Sequence, residues 1–324
     1  MLYFVGWKQI VKQMTETNPF VFNRPVENPK FLLGRGSIFR WIDQILGGAA
    51  RNQAFVVSGS PGSGKTSILH NLTLLTSLND FTIIQIDARD LNRVNSGEST
   101  WRLIKSFNRS LSAQSLFHPS AEKPRFVLQP ERVFIKEYWE PLKQSEEIRK
   151  FLLVIDNMEL LTSEMNIGQD LKRKREFLWS LIRDYDNVEM LFGLQGRPEL
   201  YSSEAIYPFT IASSIHLQFL TKDETTALLN MPDQYTIPGY VCDYIFRLTR
   251  GHPADVQRLA YQIFERSIES GYRLITVADV LAILSSELKG GDFYQPVYVQ
   301  RENTKLVYSP RLNSFEFVND KQQS

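Results

Sequence analysis

Eight consecutive residues, Gly59-Ser60-Pro61-Gly62-Ser63-Gly64-Lys65-Thr66, have the types and spacing that suit one chemistry, the gripping of a polyphosphate. Glycines at the fixed positions let backbone N–H groups turn inward on anionic oxygens, and a helix opening at the end of the loop adds positive partial charge. In this pattern Lys65 reaches the β and γ oxygens, Thr66 places its hydroxyl on Mg2+, and Ser67 completes the nucleotide-binding set. A glycine turn arising by chance would lack the correct flanks. Here the apolar segment Ala54 to Val57 runs straight into the loop, and Ile68, Leu69 and Leu72 follow it at helical spacing.

A second anchor is Phe151-Leu-Leu-Val-Ile155-Asp156, a buried-type strand ending in a carboxylate suited to hold magnesium through water. Thr66 and Asp156 are thus the expected metal residues. The next residue is Asn157, whose amide cannot accept a proton, so water activation falls to another group such as Glu159. Slow hydrolysis is the consequence. Further on, Leu191-Phe-Gly-Leu194-Gln195-Gly196-Arg197 delivers an amide and a guanidinium to the edge where ligands sit in open parallel sheets. Arg197 suits a γ-phosphate as a fixed planar donor; the plainer alternative is a surface arginine after a turn, and location favours function.

These groups need a scaffold, and the periodicity supplies one. Short apolar segments recur at Ala54 to Val57, Thr82 to Ile86, Phe151 to Ile155, Val188 to Leu194 and Ile215 to Leu220, separated by spans with helical periodicity. The fold class is α/β, a parallel-sheet P-loop core with crossover helices. Beyond Thr221 the strand signal vanishes and amphipathic helices take over. The first opens on the capping-box spacing Thr221 to Glu224, another presents Val256, Leu259, Ala260 and Ile263 on one face, and a third starts near Thr276 with Asp279 in its first turn.

Upstream of the core, Asn18-Pro19-Phe20, Arg24-Pro25-Val26 and Asn28-Pro29 disfavour helix and suggest an extended strap. A helix follows with Ile38, Ile42, Ile45 and Leu46 on one face, and it stops at Gly47-Gly48. The expected organisation is an N-terminal extension over 1–17, a core with its strap over 18–220, a helical lid over 221–291, and a hairpin or tail over 292–324. Val297 to Val299 and Phe315 to Phe317 carry the hairpin's alternation. Met14 opens a stretch that reads like a fresh polar amino terminus, which makes the first thirteen residues an upstream extension.

Composition narrows the classes. Of 324 residues 43% are hydrophobic, an ordinary packed protein, and 37 basic against 36 acidic residues leave a formal charge of +1. No long-range field draws the chain to nucleic acid or anionic lipid. The single cysteine, Cys242, cannot pair within the chain, and a reducing cytoplasm is the natural reading. No apolar run approaches the roughly 18 residues of a membrane span. The four histidines and Cys242 have no ligand spacing for a transition metal. Lys172-Arg-Lys-Arg175 sits in an amphipathic helix with Phe177, Leu178 and Leu181 and reads as a solvated face rather than a nucleic-acid contact. Ser110 to Pro124 reads as a polar surface loop.

In order and spacing, Asn18-Pro-Phe20, Pro25-Val26, Leu33-Gly34-Arg35, the P-loop, Asp156, Gly196-Arg197 and Gly251-His252-Pro253 resemble an AAA-like ATPase module of the STAND class, close to archaeal-type and origin-recognition-type ATPases. The resemblance covers roughly 18–290. It implies ATP or ADP with Mg2+ as ligands, Gly34 and Arg35 beside the adenine, Asp156 as the Walker B aspartate, Arg197 as the sensor-1 arginine, and Pro253 packed on the base. The plain alternative for Pro253 is a helix start, and His252 reads as structural. Departures from the family pattern are Gly36 after Gly34-Arg35, Asn157 after Asp156, no Arg or Lys from Pro198 to Ser214, and Ala254 at the sensor-2 position with Arg258 one turn onward. They disfavour a fast ring motor. The expectation is a slow ATPase acting as a nucleotide-controlled switch, with a protein partner or self-assembly as readout. A DNA-associated ATPase of the initiator or transposition-regulator kind is the alternative, and a small-molecule kinase is weaker.

Overall fold

The computed structural model describes residues 18–48, 53–92, 94–116, 118–120, 129–145, 148, 150–162, 169–201, 211–271, 274–289, 304–309 and 314–319. They fall into two compact units: Arg35–Gln218, and the described residues up to Gly34 together with those from Phe219 onward.

The first unit is built on five strands, β1 (Ala54–Gly59), β2 (Phe81–Asp87), β3 (Lys150–Asp156), β4 (Val188–Gln195) and β5 (Ile211–His216). All pairings are parallel and the order is β2-β3-β4-β1-β5. The central strands are buried along almost their whole length, as expected for a sheet covered on both faces. Strand β5 departs from expectation. It occupies Ile211–His216 instead of Ile215 to Leu220, and its alternating, half-exposed pattern marks an edge strand. Leu217 and Leu220, which suggested the later segment, are buried but lie beyond the strand.

Helices of this unit are α1 (Gly36–Leu46), α2 (Lys65–His70), α3 (Leu72–Leu75), α4 (Ala88–Asn92), α5 (Ser96–Ala113), α6 (Pro130–Val133), α7 (Glu140–Lys143), α8 (Glu159–Thr162) and α9 (Gln169–Arg183). A π-helical stretch, Phe134–Trp139, joins α6 to α7. Helix α1 buries Ile38, Phe39, Ile42 and Leu46. The polar stretch beginning at Ser110 is not wholly a loop: α5 runs through Ala113, capped at its start by Asn95, whose side chain accepts from the Glu98 N–H. Gln114 then ties the helix end to β2, accepting from the Ile83 N–H and donating to its carbonyl. The core behind the sheet gathers Phe107, Phe134, Tyr138 and Trp139, all fully buried.

Lys172 to Arg175 is only half a solvated face. Lys172 and Arg173 are exposed, while Lys174 and Arg175 are 5% and 4% exposed. Four consecutive residues sweep about 300° of a helix, so a run of four cannot lie on one side. Lys174 Nζ donates to the Val94 carbonyl, and Arg173 pairs with Glu131 at 2.7 Å.

The second unit is helical: α10 (Lys222–Leu229), α11 (Gly239–Thr249), α12 (Pro253–Ser270) and α13 (Val277–Lys289). The capping box at Thr221 and Glu224 is formed in both directions. Val256, Leu259, Ala260 and Ile263 are buried in its core with Cys242, Ile245 and Phe264. The strap, expected with the sheet, packs here instead. Asn18 Nδ2 donates to the Tyr261 carbonyl at 3.0 Å and to Glu265 at 2.7 Å, the Val21 N–H donates to Gln257, and Phe20 is 1% exposed in the same core. Strands β6 (Thr304–Ser309) and β7 (Ser314–Asn319) form an antiparallel hairpin. Its second strand contains the expected Phe315 to Phe317; Val297 to Val299 and residues 1–17 lie outside the described residues.

Candidate active site

Strand β1 ends at Gly59, and the chain turns through Gly62 and Gly64, both with positive φ (71° and 96°), into α2. At Gly64 no neighbour would meet an added Cβ, so the demand for glycine there is conformational alone. At Gly59 the demand is space: a Cβ would meet Ser63 Oγ at 2.5 Å and Leu217 Cβ at 3.2 Å. Lys65 opens α2 and folds over the loop, its Nζ donating to the carbonyls of Gly59 (2.9 Å) and Ser60 (3.0 Å). Burial holds its ammonium below the usual lysine range, while Glu159 and Asp156 pull it back up.

Asp156 ends β3, and β4 lies between that strand and β1. The carboxylate must therefore reach across β4 to the loop, and it does: Thr66 Oγ1 donates to Asp156 Oδ2 at 2.6 Å. The intervening strand permits this approach through Gly193, where a Cβ would meet Asp156 Oδ1 at 2.5 Å and Leu69 Cδ1 at 2.8 Å. Burial pushes the Asp156 carboxyl above its ordinary range, against the lowering effect of hydrogen bonds from Thr66 and the Asn157 N–H; Asp87 nearby pushes it further up.

Arg35 is 6% exposed and braces the loop from behind. Its Nη2 donates to the Ser63 carbonyl at 3.1 Å and its Nη1 to the Gln218 carbonyl at 2.8 Å. The guanidinium that the resemblance sets beside an adenine is thus committed to two carbonyls. Glu159, in the first turn of α8, accepts from the Gln195 N–H at 3.0 Å. The Gln195 carbonyl accepts from the Tyr201 hydroxyl at 2.5 Å, and burial keeps that phenol a donor by raising its pKa to about 12. The end of β4 is clamped on both sides, leaving the Gln195 side chain exposed at the carboxyl edge. Gly196, at φ 77°, donates its N–H to the Gly59 carbonyl at 3.1 Å, which puts exposed Arg197 one residue from a direct tie to the loop.

The first unit thus collects Arg35, Gly59, Ser60, Pro61, Gly62, Ser63, Gly64, Lys65, Thr66, Ser67, Asp156 and Glu159 around one loop and one sheet edge, with Arg197 adjacent. Gly34 and Pro253 belong to the helical unit. There Gly34 has φ 71° and abuts the Glu224 carboxylate, and Pro253 is the first residue of α12. Gly251, at φ 73°, lies so close to the Leu220 carbonyl that a Cβ would sit 1.9 Å from it. His252 is fully buried, 2.7 Å from Asp255 and edge-on to Phe219, a structural placement.

Three residues escaped the sequence reading. Gly193 was readable as an isolated glycine inside a strand. Asp87 ends β2 as Asp156 ends β3, and the two are paired in register. Arg89 holds Asp87 through both carboxylate oxygens, Nε reaching Oδ1 and Oδ2 and Nη2 reaching Oδ2. Burial would raise the Asp87 carboxyl, but the hydrogen bonds from Arg89 and Asn157 outweigh it and hold it below the ordinary range.

The donor set fits magnesium and a polyphosphate: a hydroxyl and a carboxylate already in contact are hard oxygen donors, beside a glycine loop and a buried ammonium. Among the described residues no cluster of three or more His, Cys, Asp or Glu forms a separate metal site. No described helix is long and apolar enough to cross a membrane.

No protein-family model matches the sequence, and no curated protein matches it. Solved structures do match by shape. A Walker-type ATPase of Pyrococcus abyssi is 17% identical with a TM-score of 0.56, the alignment covering 86% of this chain and 80% of that one. An ORC1 protein of Aeropyrum pernix, solved in complex with DNA, is 14% identical with a TM-score of 0.54, over 78% and 65% of the two chains. A RuvB variant of Thermotoga maritima is 15% identical with a TM-score of 0.50, over 92% and 94%. In fold, the chain is similar to these P-loop proteins, with a five-stranded parallel sheet flanked by helices and the glycine-rich loop following β1.

Proposed function

We propose that this protein binds ATP with Mg2+ through the Gly59 to Ser67 loop and hydrolyses it slowly, using the nucleotide state as a conformational switch. The observation that carries the reading is the 2.6 Å bond from Thr66 to Asp156 across an intervening strand. Burial works against the Asp156 charge, yet with Thr66 it forms a magnesium-ready pair beside Lys65. Lys65 and the loop amides hold the phosphates, Thr66 and Asp156 hold the metal, and the metal supplies charge neutralisation on the phosphate oxygens. Arg197 and Glu159 complete the edge. Slow turnover follows from the amide at Asn157, and a slow cycle suits a switch whose ATP and ADP forms persist long enough to be read by a partner. The cytoplasm is the proposed compartment.

Calorimetry with ATP and Mg2+ tests the reading. Lys65→Ala is expected to weaken binding at least about 100-fold, roughly 2.7 kcal/mol, and Asp156→Ala to remove most of the magnesium dependence. Parent-like binding of Mg-ATP by both variants would falsify the site assignment.

The Aeropyrum structure was solved with DNA, which keeps a DNA-associated role as the second reading. Against it, two of the four bases in the most basic run are buried inside the protein. Duplex affinity measured across salt concentrations separates the two: a steep logarithmic fall favours the DNA role, and weak, salt-insensitive binding favours the switch.

A further inference from the structure

The carboxyl edge of the sheet carries a second carboxylate that the nucleotide reading leaves without a task. Asp87 and Asp156 end adjacent strands in register. Between them the chain turns at Asn157, which has φ 56°. Its backbone N–H donates to Asp156 Oδ1 at 2.9 Å, and its side-chain Nδ2 donates to Asp87 Oδ1 at 3.0 Å. Asp87 is itself pinned: the Arg89 N–H reaches Oδ1 at 2.9 Å, and Arg89 Nε and Nη2 reach Oδ2 at 2.9 and 2.6 Å.

A carboxylate can only accept hydrogen bonds, so an amide facing it must present its NH2 group. That settles which way Asn157 points. Its Oδ1 is turned away from Asp87 and carries no hydrogen bond among the described residues. The corner beside the Thr66 and Asp156 pair therefore offers one oriented acceptor, held by the residue directly after the metal-binding aspartate.

We propose that Asp87 is a positioning residue for hydrolysis, which fixes Asn157 so that its Oδ1 accepts a hydrogen bond from the attacking water. This rests on the ATPase reading above. Asn157 orients the water without taking its proton. As the water oxygen bonds to the γ phosphorus, the bond from that phosphorus to the β–γ bridging oxygen breaks. The electron pair leaves with ADP, and both water protons pass to the released phosphate. A network that orients but does not deprotonate gives slow turnover at unimpaired nucleotide affinity.

Asp87→Asn keeps the shape and removes the reason for one amide orientation, since a facing amide can either donate or accept. In the nucleotide-free protein, the Asn157 side-chain amide signal, assigned by its loss in Asn157→Ala, is expected shifted and slowly exchanging in the parent and averaged in Asp87→Asn. In single-turnover assays Asp87→Asn is expected to slow hydrolysis about ten-fold, with the Mg-ATP dissociation constant within about two-fold of the parent. The double variant with Asn157→Ala should be no slower than Asn157→Ala alone, because the two residues act as one unit. Arg89→Gln, at a residue that hydrogen-bonds Asp87 but neither Asn157 nor Asp156, should give a smaller loss in the same direction. Additive effects, an unchanged rate in Asp87→Asn, or an unchanged amide signal overturn the inference. A parent that binds Mg-ATP but shows no hydrolysis overturns it too, leaving the nucleotide site standing. A parent that binds no nucleotide sinks the ATPase reading itself.

Discussion

Asp156 answers to two demands that pull in opposite directions. Its carboxylate sits 9% exposed and next to a second carboxylate, so the ligand-free protein holds it against its preference, and its proton is released at a higher pH than in an unfolded chain. A carboxyl whose pKa is raised by folding contributes stability below the ordinary carboxylate range and loses it as pH climbs through the raised value. Asp156→Asn is therefore expected to raise ligand-free stability at neutral pH by about 1 kcal/mol, with the gain fading in acid. Thermal unfolding across pH without magnesium measures this. No gain at neutral pH would mean that Thr66 and the Asn157 N–H already compensate the burial. Gly193 faces the same carboxylate from β4. Gly193→Ala forces a Cβ to 2.5 Å from Asp156 Oδ1; a loss of about 1–3 kcal/mol is expected in denaturant titrations, together with weaker magnesium dependence of nucleotide binding.

At the scale of elements, the positions that tolerate least are the ones where two segments meet backbone to backbone. The turn between α11 and α12 runs through Arg250 and Gly251, both with positive φ, and the Gly251 carbonyl accepts from the Leu220 N–H at 2.9 Å. An alanine at Gly251 meets both the Leu220 carbonyl and a strained φ. Gly251→Ala is expected to destabilise the helical unit by at least about 2 kcal/mol, seen as loss of hydrogen-exchange protection in α11 and α12. Much of the element pattern was legible. Strands β1, β3 and β4 are buried on both faces, so their apolar runs are continuous and unmistakable. Strand β5 has one free edge and an interrupted pattern, so the neighbouring Leu217 and Leu220 outweighed it. The run from Lys172 to Arg175 misled because charge suggests solvent, whereas long side chains at two of four positions find buried or carbonyl partners.

At the scale of the molecule, the strap bridges long stretches of sequence. Asn18 bonds to Tyr261 and Glu265, 243 and 247 positions away, and joins the helical unit instead of the sheet that follows it in the chain. Asn18→Ala should lower exchange protection in α12 while β1 to β4 keep theirs; equal loss in both units would show that the strap supports the whole chain. Proline and asparagine content announced an extended segment, but an extended segment carries no periodic face, so nothing in it names the surface it covers. The P-loop, the strand ending in Asp156, the helical unit and the α/β class could all be read from residue order, because each depends on spacing within a few turns or one strand. Strand order, the choice of Gly193 as the gap through which Asp156 reaches Thr66, the buried brace at Arg35 and the Asp87 to Asn157 contact depend on which strands become neighbours. That choice is made by packing of the whole core, over separations at which local spacing holds no information.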